Sequence, residues 1–177
     1  VTYHPATLAQ TKQTQAIDEL VAALDHFPHA TIVFTGVNAD PGHDAIANRI
    51  RDYAAHRPGP THYVESLGQP RYLALMRVSA VVIGNSSSGI VEAPAVKVPT
   101  VNLGDRQKGR LRCASVIDCQ ETRGAIQDAI EKALDPGFRA HLNKTVSPYG
   151  NGGAAEKIKT VLKQTDLDGI IVKRFFD

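Results

Sequence analysis

The sequence is poor in cysteine and in excess charge, and it has no tryptophan. Its two cysteines, Cys113 and Cys119, form no metal-ligand set with a pair of histidines, so we predict no metal site. Both are expected to be reduced thiols of a cytoplasmic protein. A formal net charge of +2 argues against general affinity for nucleic acid, and no apolar run reaches membrane-spanning length. We therefore expect neither nucleic acid nor membrane as a partner, and no resident cofactor.

The 177 residues suffice for one domain with a substantial core. Short apolar or β-branched runs predict strands at residues 1–3, 31–35, 62–65, 81–83, 100–103 and 114–117. Apolar positions three and four apart predict helices in segments that include residues 17–24, 46–54, 72–76, 89–97, 122–134 and 154–163. This alternation is typical of a doubly wound parallel α/β sheet with a Rossmann-like fold. The apolar tail at residues 170–176 is expected to dock on some surface.

Residues 81–106 contain the pattern with the clearest chemical meaning. A β-branched strand, a small polar turn at residues 84–89, a helix and another strand follow one another. Such a turn directs backbone N–H groups and serine hydroxyls at one point, in front of the positive end of the helix dipole. The pattern therefore predicts an anion site, and phosphate is the usual anion. The alternative interpretation is that the serines only cap the helix.

The predicted strand order places His4 opposite this turn. In the usual order 3-2-1-4-5-6, the first and fourth strands are neighbours at the switch point where ligands bind. His4 ends the first strand and Asn85 follows the fourth, so both should face one crevice. His4 could there protonate or steady a departing phosphate oxygen, although a lone histidine is more often structural.

Two further residues near the turn each have two interpretations. Glu92, on the first turn of the predicted helix, is either a partner for the helix dipole or an acceptor for a diol such as ribose. Arg106 lies in a basic, glycine-bounded loop at residues 104–110. That loop is either a solvated surface or a clamp on a diphosphate, which the planar guanidinium fits well.

Residues 84–110 closely resemble the UDP-N-acetylglucosamine 2-epimerase family, and most of all its hydrolysing branch, which feeds sialic and legionaminic acid synthesis. Further matching segments lie at residues 1–5, 38–42, 147–152 and 173–177. The resemblance implies the carboxyl-terminal, UDP-binding domain of a two-domain, glycosyltransferase-B-like fold over residues 1–177. The amino-terminal domain would be absent from this chain, and the full-length enzyme is expected to be a homo-oligomer.

The resemblance also implies roles for individual residues. His4 would be the catalytic residue that this half supplies. The UDP-binding residues would be Leu67, Asn85, Ser86, Ser87, Gly89, Glu92 and Arg106. Within that set, the two serines and Arg106 would be at the diphosphate, Glu92 at the ribose and Leu67 at the uracil. The catalytic carboxylates of the family belong to the amino-terminal domain, so this chain alone is expected to be inactive.

The reaction that the resemblance implies begins with elimination of UDP to give an enzyme-bound glycal. Hydrolysing members then add water and release a free 2-epimerised sugar, N-acetylmannosamine or its diacetamido-trideoxy analogue. One alternative is the non-hydrolysing branch, which returns UDP and yields UDP-N-acetylmannosamine. The others are the nucleotide-sugar domain of a glycosyltransferase-B enzyme and a non-catalytic nucleotide-binding module.

Overall fold

The computed structural model describes residues 1–5, 13–142 and 144–172, which form strands and helices in alternation. Strands β1 (Ile32–Thr35) and β2 (Thr61–Val64) pair in parallel. Strands β3 (Val82–Gly84), β4 (Thr100–Leu103) and β5 (Val116–Cys119) form a second parallel group in the order β3-β4-β5. The parallel pairing confirms the predicted α/β architecture.

Residues 1–3 lie between these two groups of strands. Thr2 forms a parallel bridge with Gly84, and its N–H donates to the Ile83 carbonyl at 2.9 Å. On the other side, the Thr35 N–H donates to the Val1 carbonyl at 3.0 Å. The resulting order, β2-β1-(residues 1–3)-β3-β4-β5, is the predicted 3-2-1-4-5-6. The predicted first strand is therefore in its expected place, although only Thr2 meets the criterion for a bridge.

The connecting helices form two packed groups. Their bounds are α1 Gln13–Leu24, α2 His43–His56, α3 Gly68–Val78, α4 Ser88–Ala95, α5 Arg123–Leu134, α6 Pro136–Leu142 and α7 Ala154–Gln164. Helix α1 packs against α2 and α5, whereas α3 packs against α4. Two separate helical groups are what a doubly wound sheet requires, because its crossovers cover both faces. No described helix is long and apolar enough to cross a bilayer.

The core follows the apolar spacing of the sequence. The α1 positions predicted from that spacing are all buried: Ile17, Leu20, Val21 and Leu24. The predicted apolar face of α5 is buried in the same way, at Ile126, Ala129, Ile130 and Ala133. Helix α3 includes the predicted segment 72–76, but Met76 alone of its apolar residues is buried.

Beyond shifts of one residue at β1, β2, β3 and α5, the structure differs from the prediction at α4, β5 and α6. Helix α4 begins at Ser88 and ends at Ala95, because the chain turns out of the helix towards Lys97, whose φ is 61°. The last strand is β5, two residues later than predicted, since Val116 pairs with Thr100. The short helix α6 after α5 was not predicted.

The described part of the apolar tail does not pack on this chain. Ile170, Ile171 and Val172 are 59%, 94% and 70% exposed. The remaining tail at residues 173–177, including its match to the family, lies outside the described residues. Helix α7 is likewise exposed along its whole length.

Candidate functional site

The polar turn after β3 begins with a glycine that the packing requires. Gly84 has a φ of 136°, and a Cβ there would come within 1.9 Å of the Thr2 carbonyl oxygen. A side chain would therefore force residues 1–3 away from β3. The close approach brings the end of the first segment, at His4, beside Asn85.

The amino end of α4 presents backbone N–H groups that no described residue uses. The Gly89 N–H donates to the Ser86 carbonyl, and the Ile90 and Val91 N–H groups donate to the Ser87 carbonyl. The N–H groups of Ser86 and Ser87 themselves donate to no group in the described part of the chain. Ser87 is the N-cap residue, yet its hydroxyl makes no capping hydrogen bond. Capping alone therefore does not account for Ser87, and the turn retains the donors that an anion needs.

His4 is buried, at 7% exposure, and its ring has one nitrogen engaged. Its Nδ1 accepts a hydrogen bond from the Asn38 N–H at 3.1 Å, which places the proton of the neutral ring on Nε2. Burial, followed by the charge of Arg106, lowers the pKa of His4 to about 4, and Asp40 opposes this shift. The imidazole is thus neutral at physiological pH and offers an Nε2–H donor.

Asn85 connects the turn to the His4 backbone. Its Oδ1 accepts from the His4 N–H at 2.7 Å, and its Nδ2 donates to the His4 carbonyl at 2.8 Å. The side chain is 1% exposed. Both ends of the amide are used within the protein, so the structure places Asn85 as a bridge between two segments, with its amide turned away from solvent.

The loop after β4 contacts the backbone carbonyl of Asn85. Arg106 Nη1 donates to the Asn85 carbonyl at 3.1 Å, and Gln107 Nε2 donates to it at 2.8 Å. Gln107 is 2% exposed and was not singled out from the sequence. A lone glutamine in a basic loop carries no signal of its own, and only the fold reveals its contact with the turn. Arg106 is only partly buried and retains further N–H groups for a ligand.

The remaining predicted residues lie beyond the carboxyl end of β2 or on α4. Leu67 follows β2 and is the N-cap residue of α3, partly buried. Glu92 is also partly buried, but α4 has no acidic residue in its first turn, so the predicted place of Glu92 at the start of the helix is wrong. At Gly89, a Cβ would come within 2.6 Å of Thr100 Cγ2, so this glycine allows α4 to approach β4.

The comparison with known families supplies the decisive observation. A family model for UDP-N-acetylglucosamine 2-epimerase matches residues 1–163. The chain belongs to this epimerase family. The chain spans about half the length of the curated relatives that it matches.

Two relatives of the epimerase family and one solved structure define the likeness. The chain is 39% identical to the GDP/UDP-N,N'-diacetylbacillosamine 2-epimerase (hydrolyzing) of Campylobacter jejuni, over 100% of the chain and 46% of the relative. It is 36% identical to the polysialic acid biosynthesis protein P7 of Escherichia coli, over 100% of the chain and 45% of the relative. The structure of UDP-GlcNAc 2-epimerase from Neisseria meningitidis bound to UDP-GlcNAc matches with a TM-score of 0.75 at 16% identity. That match covers 93% of this chain and 44% of the other, and it establishes the fold.

An apolar cavity elsewhere in this epimerase-family chain lacks the charged side chains that a nucleoside diphosphate requires. Its volume is about 320 Å³, and α3 contributes Tyr72, Leu75 and Met76 to its lining. None of the predicted site residues lines it, and neither does any charged side chain. Among the described residues, no group of three or more histidine, cysteine or acidic side chains is arranged to hold a metal ion. The apolar cavity is therefore not the candidate site, which lies at the polar turn where His4, Arg106 and Gln107 meet Asn85.

Proposed function

We propose that this chain is the carboxyl-terminal, UDP-binding domain of a hydrolysing UDP-N-acetylglucosamine 2-epimerase. The observation that carries the proposal is the meeting of His4 with the turn at residues 84–88, where no described residue accepts from the Ser86 and Ser87 N–H groups. This meeting occurs between the first and fourth strand positions, where α/β sheets of this order bind ligands. The family match supports the same assignment.

The diphosphate binds at the amino end of α4. Ser86 and Ser87 contribute their N–H groups and hydroxyls, and the dipole of α4 adds positive potential. Arg106 is held at this turn by its hydrogen bond to the Asn85 carbonyl. Its remaining guanidinium N–H groups form charge-assisted hydrogen bonds to phosphate oxygens.

The uridine extends from the diphosphate along the same side of the sheet. Leu67 follows the carboxyl end of β2, and it is the residue that we assign to the uracil. Glu92, one turn into α4, accepts hydrogen bonds from the ribose hydroxyls. Both side chains are partly exposed, which leaves them accessible to a ligand.

His4 assists departure of UDP. Carboxylates of the amino-terminal domain remove the proton at C2, the C1–O bond breaks, and UDP leaves as an anion. The neutral Nε2–H of His4 donates to the phosphate oxygen on which charge develops. Water then adds across the glycal, with its hydroxyl at C1 and a proton at C2, and a free 2-epimerised sugar is released.

The hydrolysing assignment is supported by the Campylobacter jejuni relative, whose name contains that reaction type. Its name also specifies a diacetamido-trideoxy sugar nucleotide, so UDP-N,N'-diacetylbacillosamine is a substrate to test beside UDP-N-acetylglucosamine. The family resemblance assigns the sugar contacts and the catalytic carboxylates to the amino-terminal domain. The length of the relatives, about twice that of this chain, leaves room for such a domain.

Heavy-oxygen water tests the proposed reaction in the complete enzyme that contains this chain. The hydrolysing route places the label on C1 of the free sugar and releases unlabelled UDP. Recovery of an unlabelled, UDP-linked 2-epimer at equilibrium with substrate would refute the hydrolysing assignment. Deuterium at C2 alone is uninformative, because both branches take that proton from solvent.

A further inference from the structure

We infer that Asn85 is the positioning residue for His4, a role that rests on the proposed function of His4. The carboxamide of Asn85 holds both backbone polar groups of His4, accepting from its N–H at 2.7 Å and donating to its carbonyl at 2.8 Å. The Asn85 N–H adds a third connection, to the Thr2 carbonyl at 3.2 Å. The segment that carries the imidazole is thereby fixed to the turn that carries the anion site.

Asn85 is itself held by the loop that carries Arg106, the residue proposed to bind the diphosphate. Its carbonyl accepts from both Arg106 and Gln107, and its side chain is almost completely buried. Gln107 is equally buried, so solvent does not compete for its hydrogen bond. One residue thus links the proposed acid group to the proposed phosphate clamp.

The direction of the imidazole is determined by a second contact. With the His4 backbone held by Asn85, the Asn38 N–H engages Nδ1 at 3.1 Å and leaves Nε2 as the nitrogen available to a substrate. Burial and Arg106 keep the ring neutral, against the charge of Asp40. If the backbone of His4 shifted, the ring would lose the Asn38 contact, and with it the single tautomer.

The chemistry of the amide explains why asparagine occupies this position. Its Oδ1 is an acceptor and its Nδ2 is a donor, and the two lie side by side. They therefore match the backbone N–H and the backbone carbonyl of His4. An aspartate of the same shape offers two acceptors and so repels the His4 carbonyl. An alanine leaves two buried backbone groups of His4 without partners.

Nitrogen NMR of ¹⁵N-histidine-labelled protein tests the inference on this chain. The wild type should show His4 as a single Nε2–H tautomer. In Asn85→Asp and Asn85→Ala the two tautomers should mix, and in Asn85→Ala the titration midpoint should rise from about 4 towards the ordinary value of 6.5. Retention of the single tautomer in a folded variant overturns the inference. If Asn85→Ala does not fold, the isosteric Asn85→Asp decides.

Tyr53→Phe provides the matched control for lost stability. Tyr53 is buried and donates to Asp25 Oδ1 at 2.7 Å, in contact with neither His4 nor the turn. Its loss should lower the midpoint of urea unfolding while the His4 signals stay in place. A shift of the His4 signals in Tyr53→Phe as large as that in Asn85→Asp would overturn a specific role for Asn85.

Kinetics in the complete enzyme give the functional readout. Asn85→Asp should lower kcat by roughly 10- to 100-fold, because small displacement of a reacting group slows chemistry. The added carboxylate should also raise KM, because it repels the diphosphate. A loss confined to KM overturns the inference. Absence of UDP-sugar turnover by the wild type would instead refute the proposed function. The NMR experiment tests the role of Asn85 without turnover, so it distinguishes failure of this inference from failure of the proposed function.

Discussion

The polar cluster of His4, Asn85, Arg106 and Gln107 and the carboxyl-terminal helix α7 differ in how much of their surface is buried. In the cluster, Asn85 and Gln107 are 1% and 2% exposed and hydrogen-bonded within the domain. In α7, no residue is buried, and Ile158, Val161 and Leu162 are 59%, 61% and 63% exposed. The side chains of the cluster are therefore held by hydrogen bonds within the described residues, whereas the apolar face of α7 is left exposed.

This difference predicts two levels of stability within one chain. Residues around β3 share the cooperative core, so changes there should alter global unfolding. Helix α7 makes few buried contacts, so it should open locally with little effect on the rest. The following predictions test that contrast, from the largest expected effect to the smallest.

Gly84→Ala should reduce the free energy of unfolding by about 3 kcal/mol, because a positive φ and a steric overlap are combined. A Cβ there would lie 1.9 Å from the Thr2 carbonyl oxygen. Gly153→Ala, at the N-cap of α7, is the matched control, with a φ of 75° and open space around the glycine. Its global effect should stay below about 1 kcal/mol in urea unfolding. Equal losses would show that α7 unfolds with the core.

The depressed pKa of His4 should make folding weaker in acid. The native pKa is about 4 and the ordinary value is 6.5, so the stabilising contribution is complete above 6.5 and is lost as the pH falls towards 4. The unfolding free energy of the wild type, relative to His4→Gln, should therefore drop by about 2 kcal/mol between about pH 7.5 and about pH 4.5. Parallel pH curves for the two proteins would contradict a buried, neutral His4.

Arg106→Ala should weaken binding of UDP by about 1.5–3 kcal/mol, the range of a hydrogen bond to a charged group, with little effect on uridine. The Ser86→Ala, Ser87→Ala double variant should show the same preference. Lys163→Ala on exposed α7 removes one positive charge away from the turn and serves as the control. Titration calorimetry of this chain measures all three. Equal losses for UDP and uridine would place Arg106 away from the diphosphate.

Val161→Ser together with Leu162→Ser should change the unfolding free energy by less than about 0.5 kcal/mol, because exposed positions contribute little to stability. The comparison variant is Ile17→Ser in α1, where the side chain is 0% exposed and a large loss is expected. Urea unfolding distinguishes the two. A large loss from the α7 variant would show that its apolar face is covered in solution.

The sequence predicts those parts of the fold that depend on local pattern and chain topology. The spacing of Ile17, Leu20 and Leu24 was enough to identify the buried face of α1, because helical period and burial coincide there. The closeness of His4 to Asn85 followed from strand order alone, since parallel strands end at the same edge.

The details that the sequence did not predict depend on tertiary contacts. The bond from Asn85 to the His4 backbone joins residues 81 positions apart, and nothing near either residue indicates it. Gln107 has a role only because the loop after β4 folds back onto the turn. The early end of α4 follows from the left-handed conformation of Lys97, which is uncommon for a residue with a side chain.

The position of residues 1–3 has a mechanical consequence. This short segment is hydrogen-bonded to β1 along one side and to β3 along the other, and it runs parallel to β3. A force applied at Val1 along the strand loads those bonds in shear, together rather than one at a time. His4 is the first residue beyond them that carries a reactive group. Tension at Val1 is thus transmitted to His4 before it reaches any described helix, and in single-molecule pulling from Val1 the contacts of His4 with Asn85 should break before any helix unfolds.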